Sequence, residues 1–141
     1  MKIYFERYPK IKIYLDGVIQ STKEKGYVET ILNRRRFIPE LKSSNKIVKA
    51  LGDRLAMNAP IQGSAADIIK IAMINVYKRL KEEKLKSTLI LQVHDELILN
   101  VKQGEEEIIN KLIKEEMENA VSLSVKMEVD INEGPTWYDA K

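Results

Sequence analysis

Ile11, Leu15, Val18 and Ile19 recur at the three- and four-residue spacing of one helix face, between Pro9, which suits a first helical turn, and Gly26, a natural stop. Residues 1–8 read as the end of a preceding helix. Tyr27–Leu32 has strand propensity, Asn33-Arg34-Arg35 turns it, and Arg36-Phe37-Ile38 returns before Pro39, which predicts a small hairpin with a cationic tip. Ser43 or Ser44 caps a helix carrying Val48, Leu51 and Leu55, and Pro60 ends or kinks it. A second helix then lines Ala65, Ile68, Ile69, Ala72, Val76 and Leu80 on one side, with Ile71 and Met73 widening the stripe. Thr88–Val93 and Glu96–Val101 are the arms of another hairpin. Ile108, Ile109, Leu112, Ile113, Met117 and Ala120 make an amphipathic helix with its acidic residues outside. Val125, Met127, Val129 and Ile131 alternate with Lys126, Glu128 and Asp130, the period of a strand. Gly134-Pro135 breaks that strand, and Trp137-Tyr138 is expected to fold back as an apolar latch. The sum is α+β: a small three-stranded antiparallel sheet with helices on one face and a helical N-terminal arm.

Composition adds limits. With 141 residues, 44% hydrophobic and 32% charged, the chain suits one globular core. Without cysteine it has neither disulfides nor a zinc–thiolate site. No run is apolar and long enough to span a bilayer or to act as a signal peptide, so a soluble intracellular domain, with no membrane partner, is the expectation. The net charge of +3 is unevenly spread, with a basic stretch from Arg34 to Arg54 and an acidic one from Glu105 to Glu118. The asymmetry suits a polyanion partner on one side, but charge alone favours two solvated faces.

Three groups could carry chemistry. The first is Gln92-Val93-His94-Asp95-Glu96, which puts the one histidine and two adjacent carboxylates at a hairpin reversal between apolar arms. Charge there is costly unless something binds it, and a hard divalent cation chooses carboxylate oxygens. Adjacent strand residues face opposite ways, so the two are poorly placed to grip one ion equally; at a tight turn the alternation relaxes, and one carboxylate can ligate directly while the other helps. A plain polar turn is the commoner reading of such a triplet. The second is Arg54, Asn58 and Gln62, at spacings of four on a helix face. Their donors suit base-edge acceptors and sugar oxygens of the minor groove, although an ordinary polar face reads the same way. The third is Arg34-Arg35-Arg36, a phosphate contact or simply a wet turn.

Taken in order, Tyr27-Val28-Glu29-Thr30 before Arg34-Arg35-Arg36, Asn58-Ala59-Pro60-Ile61-Gln62-Gly63-Ser64-Ala65-Ala66-Asp67, Gln92-Val93-His94-Asp95-Glu96, and Gly134 before Trp137-Tyr138 resemble the C-terminal part of the bacterial family A DNA polymerases. The resemblance covers essentially the whole chain. It implies residues 1–41 as the end of the fingers with the basic hairpin, and 42–141 as part of the palm. It implies Asp95 as one of two catalytic carboxylates holding two Mg2+ ions, Glu96 in support, and His94 near the primer terminus. Residues matching Arg54, Asn58 and Gln62 would face primer–template DNA. One metal would lower the pKa of the primer 3′-hydroxyl and the other would stabilise pyrophosphate. The implied partners are primer–template DNA, deoxynucleoside triphosphates and the remainder of the polymerase chain, and the implied location is the bacterial cytoplasm, at the nucleoid.

The family's other catalytic aspartate lies in an Asp-Tyr-Ser-Gln-Ile-Glu-Leu-Arg-like segment that does not occur in these residues, nor does the nucleotide-gripping fingers helix. The resemblance therefore implies a fragment or truncated reading frame, inactive in polymerisation alone, with exposed apolar patches and possible self-association. A DNA-binding module without catalysis is the alternative. A His-Asp hydrolase is a poor third, since there is no nucleophile elbow, no cysteine and no second histidine.

Overall fold

The computed structural model describes residues 2–140. It divides into two compact units, Met1–Ala65 and Ala66–Lys141. In the first, α1 (Lys2–Arg7) leads into α2 (Pro9–Lys25). The expected helix end at residues 1–8 is present from Lys2 onward; Met1 lies outside the described residues. Proline opens α2, where its missing amide costs nothing. Gly26 closes it at φ 84°, its N–H donating to the Thr22 carbonyl at 2.7 Å.

β1 (Tyr27–Glu29) and β2 (Arg35–Phe37) pair antiparallel, Val28 opposite Arg36. The hairpin is where the sequence put it, with Arg36 in the returning strand as expected, but Arg35 belongs to that strand too, and the tip is Thr30 to Arg34. A 3-10 turn at Pro39–Lys42 follows. Val28, Ile38, Leu41, Ala56 and Ala59 form the core of this unit, with Val18, Ile19 and Leu55 against it.

Two helix expectations are corrected. The cap is Asn45 rather than Ser43 or Ser44: its Oδ1 accepts the Ile47 N–H at 2.9 Å, while Ser43 Oγ accepts the Asn45 N–H at 3.2 Å. Pro60 does not end the helix, because α3 (Lys46–Glu82) runs through it for 37 residues. An internal proline costs about 3 kcal/mol through the lost amide and ring clash. Here Ala56, Ala59 and Pro60 are all buried, and the Ser64 hydroxyl donates to the Pro60 carbonyl. The Ser64 bond lies after the proline and does not replace the one the Ala56 carbonyl loses; burial of Ala56 and Ala59 against Val28 and Ile38 offsets the break.

In the second unit, β3 (Thr88–Val93) and β4 (Glu96–Asn100) form a hairpin with Val93 opposite Glu96 and a bulge between Leu89 and Leu91. It packs with α4 (Glu106–Glu118), whose Ile109, Leu112 and Ile113 are buried with Val76 and Leu80 of α3. Leu89, Leu97 and Leu99 close that core from the hairpin. Arg79 ties the helices together: its guanidinium donates to Glu83 and Glu115 at 2.8 Å and to Glu116 at 3.1 Å. Glu105 accepts from the Lys86 and Ser87 amides and the Ser87 hydroxyl, fixing the entry to β3.

The third strand is not formed. The sheets are two separate two-stranded hairpins, and residues 125–131 have no ladder partner among the described residues. Alternation requires one face to bury, but pairing also needs a free edge in register. The Val129 amide goes instead to Glu118 Oε1 at 3.3 Å. Nor do Trp137 and Tyr138 close as a latch, being 44% and 88% exposed in a turn after Pro135. The fold remains helices with small antiparallel strands, as the sequence led one to expect. No helix among the described residues is long and apolar enough to cross a membrane. Apolar residues are left uncovered on α1, α2 and the strands, among them Ile3, Tyr4, Ile13, Phe37 and Ile90.

Candidate nucleic-acid interface and carboxylate turn

The polar row on α3 survives Pro60 because the helix does. At ~100° per residue, each step of four advances only ~40°, so Arg54, Asn58 and Gln62 occupy one face. All three are exposed. Beside this face, in the same unit, the β1–β2 hairpin and α3 enclose a shallow notch lined by Val28, Glu29, Thr30, Arg34, Arg36, Ala59, Gln62 and Gly63. The notch brings together Gln62, Arg34 and Arg36 from separate parts of the sequence.

The three arginines differ. Arg35 Nε donates to Glu29 Oε1 at 2.9 Å, and its guanidinium lies 4.7 Å from the Tyr27 ring centre. The bond to Glu29 raises the Arg35 pKa above its ordinary value. Arg34 Nη2 donates to the Gly63 carbonyl at 3.1 Å. Arg36 is exposed and lines the notch.

The joint between hairpin tip and helix rests on residues whose roles the sequence reading did not assign. Ser64 Oγ accepts the Ile31 N–H at 3.0 Å. Thr30 Oγ1 accepts the amides of Leu32 and Arg34 at 3.3 and 3.2 Å. Thr30 and Ser64 are both buried. A Cβ on Gly63 would come within 2.8 Å of the Thr30 methyl, so the close approach requires glycine. The available signal was a glycine inside a helical pattern, which marks a close approach when a packing reason exists.

In the second unit, His94 and Asp95 make the two-residue turn between β3 and β4, and Glu96 is the first residue of β4. His94, Asp95 and Glu96 are exposed. His94 has φ 53°, a left-handed conformation uncommon outside glycine, although histidine, like asparagine and aspartate, adopts it more often than other residues. Gln92 Nε2 donates to the His94 carbonyl at 2.6 Å and braces the turn. Such strain at a turn bearing charged groups is a pointer to function. As donors for Mg2+, Asp95 and Glu96 are of the right oxygen type. Among the described residues, however, no group of three or more His, Cys, Asp or Glu side chains could hold a metal ion. This stretch therefore fits as a contributor to a metal site and not as a complete one.

The first unit thus carries a donor row beside a cationic notch, and the second unit carries a carboxylate turn. The sequence profile of DNA polymerase family A matches residues 1–139, and the chain belongs to that family. It is 51% identical to DNA polymerase I of Caldicellulosiruptor bescii and 54% identical to that of Bacillus caldotenax, over 98% of this chain and 16% of each relative. The chain therefore spans less than a fifth of the length of these relatives. Among solved structures it is similar to the POL domain of Pol1 from M. smegmatis in complex with DNA primer-template and dNTP. That match has a TM-score of 0.95 and 47% identity, over 97% of this chain and 24% of that one.

Proposed function

We propose that this chain supplies the end of the fingers (residues 1–41) and part of the palm (42–141) of a DNA-directed DNA polymerase, which extends a primer 3′-hydroxyl by templated nucleotidyl transfer in the bacterial cytoplasm. The reading is supported above all by the family match over residues 1–139, which takes in both the donor row and the carboxylate turn. The solved relative bound to primer-template and dNTP makes the same ligands the reasonable ones for the whole protein.

In this reading Arg54, Asn58 and Gln62 donate to the primer–template, where minor-groove acceptors occur at every base pair. Arg36, exposed beside them, is the favoured phosphate contact of the arginine run, since Arg35 is held by Glu29. His94 meets the primer end. Asp95 is the catalytic carboxylate and Mg2+ ligand, and Glu96 supports it. What Mg2+ supplies in such a site is neutralisation of charge on phosphoryl oxygens. The remaining ligands, including the second aspartate, must come from the rest of a polymerase chain. The 141 residues alone are therefore inactive, and their uncovered apolar residues favour self-association.

The test is a fluorescence titration of a labelled primer–template with this chain at several salt concentrations, beside a primer-extension assay with Mg2+ and all four deoxynucleotides. Salt-dependent binding without extension fits the fragment, and in the full polymerase chain Asp95→Ala should abolish extension while DNA binding is retained; extension unaffected by Asp95→Ala there would favour a non-catalytic DNA-binding module. Extension by the isolated chain would refute its inactivity. An absence of salt-dependent binding would refute the DNA interface.

A further inference from the structure

We infer that Ser64, Thr30 and Arg34 are positioning residues: the tip of the β1–β2 hairpin splints α3 across Pro60 and so fixes where Gln62 presents its amide. This rests on the reading of Gln62 as a DNA contact.

Pro60 removes one hydrogen bond from the α3 ladder two residues before Gln62. A helix interrupted in this way ordinarily bends, and a bend at Pro60 would swing Gln62 out of the row begun by Arg54 and Asn58. The hairpin holds α3 on both sides of the proline: Val28 and Ile38 share a core with Ala56 and Ala59 before it, and four contacts fix the turn after it. The Ser64 hydroxyl donates to the Pro60 carbonyl, one turn back on the same helix, and accepts the Ile31 amide from the hairpin tip. The Arg34 guanidinium donates to the Gly63 carbonyl. The Thr30 methyl sits against the bare Cα of Gly63. Gln62 is thus followed by two residues that are each clamped to the hairpin. The tip itself is pre-formed: the Thr30 amide bonds the Arg34 carbonyl at 3.0 Å, and Thr30 Oγ1 takes two further tip amides. Arg34 accordingly acts through Gly63, within the protein, whereas Arg36 faces the ligand.

The experiment is a double-mutant cycle of Ser64→Ala with Gln62→Ala, read by primer–template affinity and by amide hydrogen exchange. Ser64→Ala is expected to weaken duplex binding about threefold to tenfold, the range that the loss of one hydrogen bond corresponds to. In a Gln62→Ala background it should cost nothing further, and Ser64→Thr, which keeps the hydroxyl, should restore affinity. Exchange should quicken at Ile31, Gly63 and Ser64 but not at Leu112 in the other unit. Should Ser64→Ala prove too unstable, Arg34→Gln makes the same test, with a salt dependence of binding like that of the unsubstituted chain. A salt slope reduced by about one instead identifies Arg34 as a phosphate contact and overturns the inference. An additive loss in the Ser64 cycle, or quickened exchange throughout both units, also overturns it. If Gln62→Ala itself leaves affinity unchanged, or the unsubstituted chain binds no duplex, the DNA reading of Gln62 fails and the inference with it.

Discussion

Gly63→Ala sets two effects of opposite sign against each other within the proposed splint. Gly63 lies inside α3, in helical conformation, where alanine is favoured over glycine by about 1 kcal/mol. On propensity alone the substitution stabilises. But the new Cβ would stand 2.8 Å from the Thr30 methyl, and Thr30 is buried. Thr30 cannot rotate away without withdrawing Oγ1 from the Leu32 and Arg34 amides. Overpacking of this kind costs about 1–3 kcal/mol, so the expected net effect of Gly63→Ala is a loss of ~1 kcal/mol. Thr30→Ser removes the offending methyl and keeps the hydroxyl. Alone it should cost about 1 kcal/mol for the lost buried methyl. Combined with Gly63→Ala it should cost less than the two singles together, because the clash is gone and the helix gain remains. The coupling expected is about 1–3 kcal/mol, well above the scatter of independent sites. Urea unfolding followed by far-UV circular dichroism, with the denaturant slope checked for constancy, measures it. Stabilisation by Gly63→Ala, or strict additivity with Thr30→Ser, would refute the close approach.

Leu112, fully buried in the second core, should cost about 2–5 kcal/mol when replaced by alanine, read by the same unfolding curves. Asn45→Ala should cost about 1 kcal/mol through loss of the α3 cap, and Asn45→Ser should recover most of it. The Ser87 hydroxyl, then the Lys86 and Ser87 amides, hold the Glu105 carboxyl below its ordinary pKa, and Arg79 does the same for Glu115. A depressed carboxyl stabilises the fold in full above the ordinary glutamate range, and that stability is lost as the pH falls through the lowered folded-state value. Unfolding midpoints should therefore drop progressively below about pH 4.3, and less so for Ser87→Ala, which has less to lose. Equal acid sensitivity in the two proteins would contradict the assigned role of Glu105.

What the sequence disclosed, and what it withheld, follows the range of the interactions concerned. Local signals carried far. Pro9 and Gly26 bracket α2, and the apolar arms around His94 and Asp95 form the hairpin they suggest, because capping and turn formation depend on a few neighbouring residues. Errors came where a distant contact decides. Pro60 reads as a helix end from its own chemistry. What surrounds it is distant in sequence: Ala56 and Ala59 pack with Val28 and Ile38, and Ser64, one turn on, is tied to Ile31, thirty-three residues away. Val125 to Ile131 alternates as a strand should, yet pairing depends on an available edge, and no periodicity records that. The arginine run shows the same limit at the site. Three identical side chains in a row are indistinguishable in sequence. In the fold one is paired with Glu29, one with the Gly63 carbonyl, and Arg36 lines the notch exposed to solvent. Composition could therefore nominate a basic patch, but only the partners of each guanidinium separate a residue that holds the helix from one that can meet a phosphate. That separation makes the arginines unequal in their salt response: Arg36→Gln should lower the slope of affinity with salt, and Arg34→Gln should not.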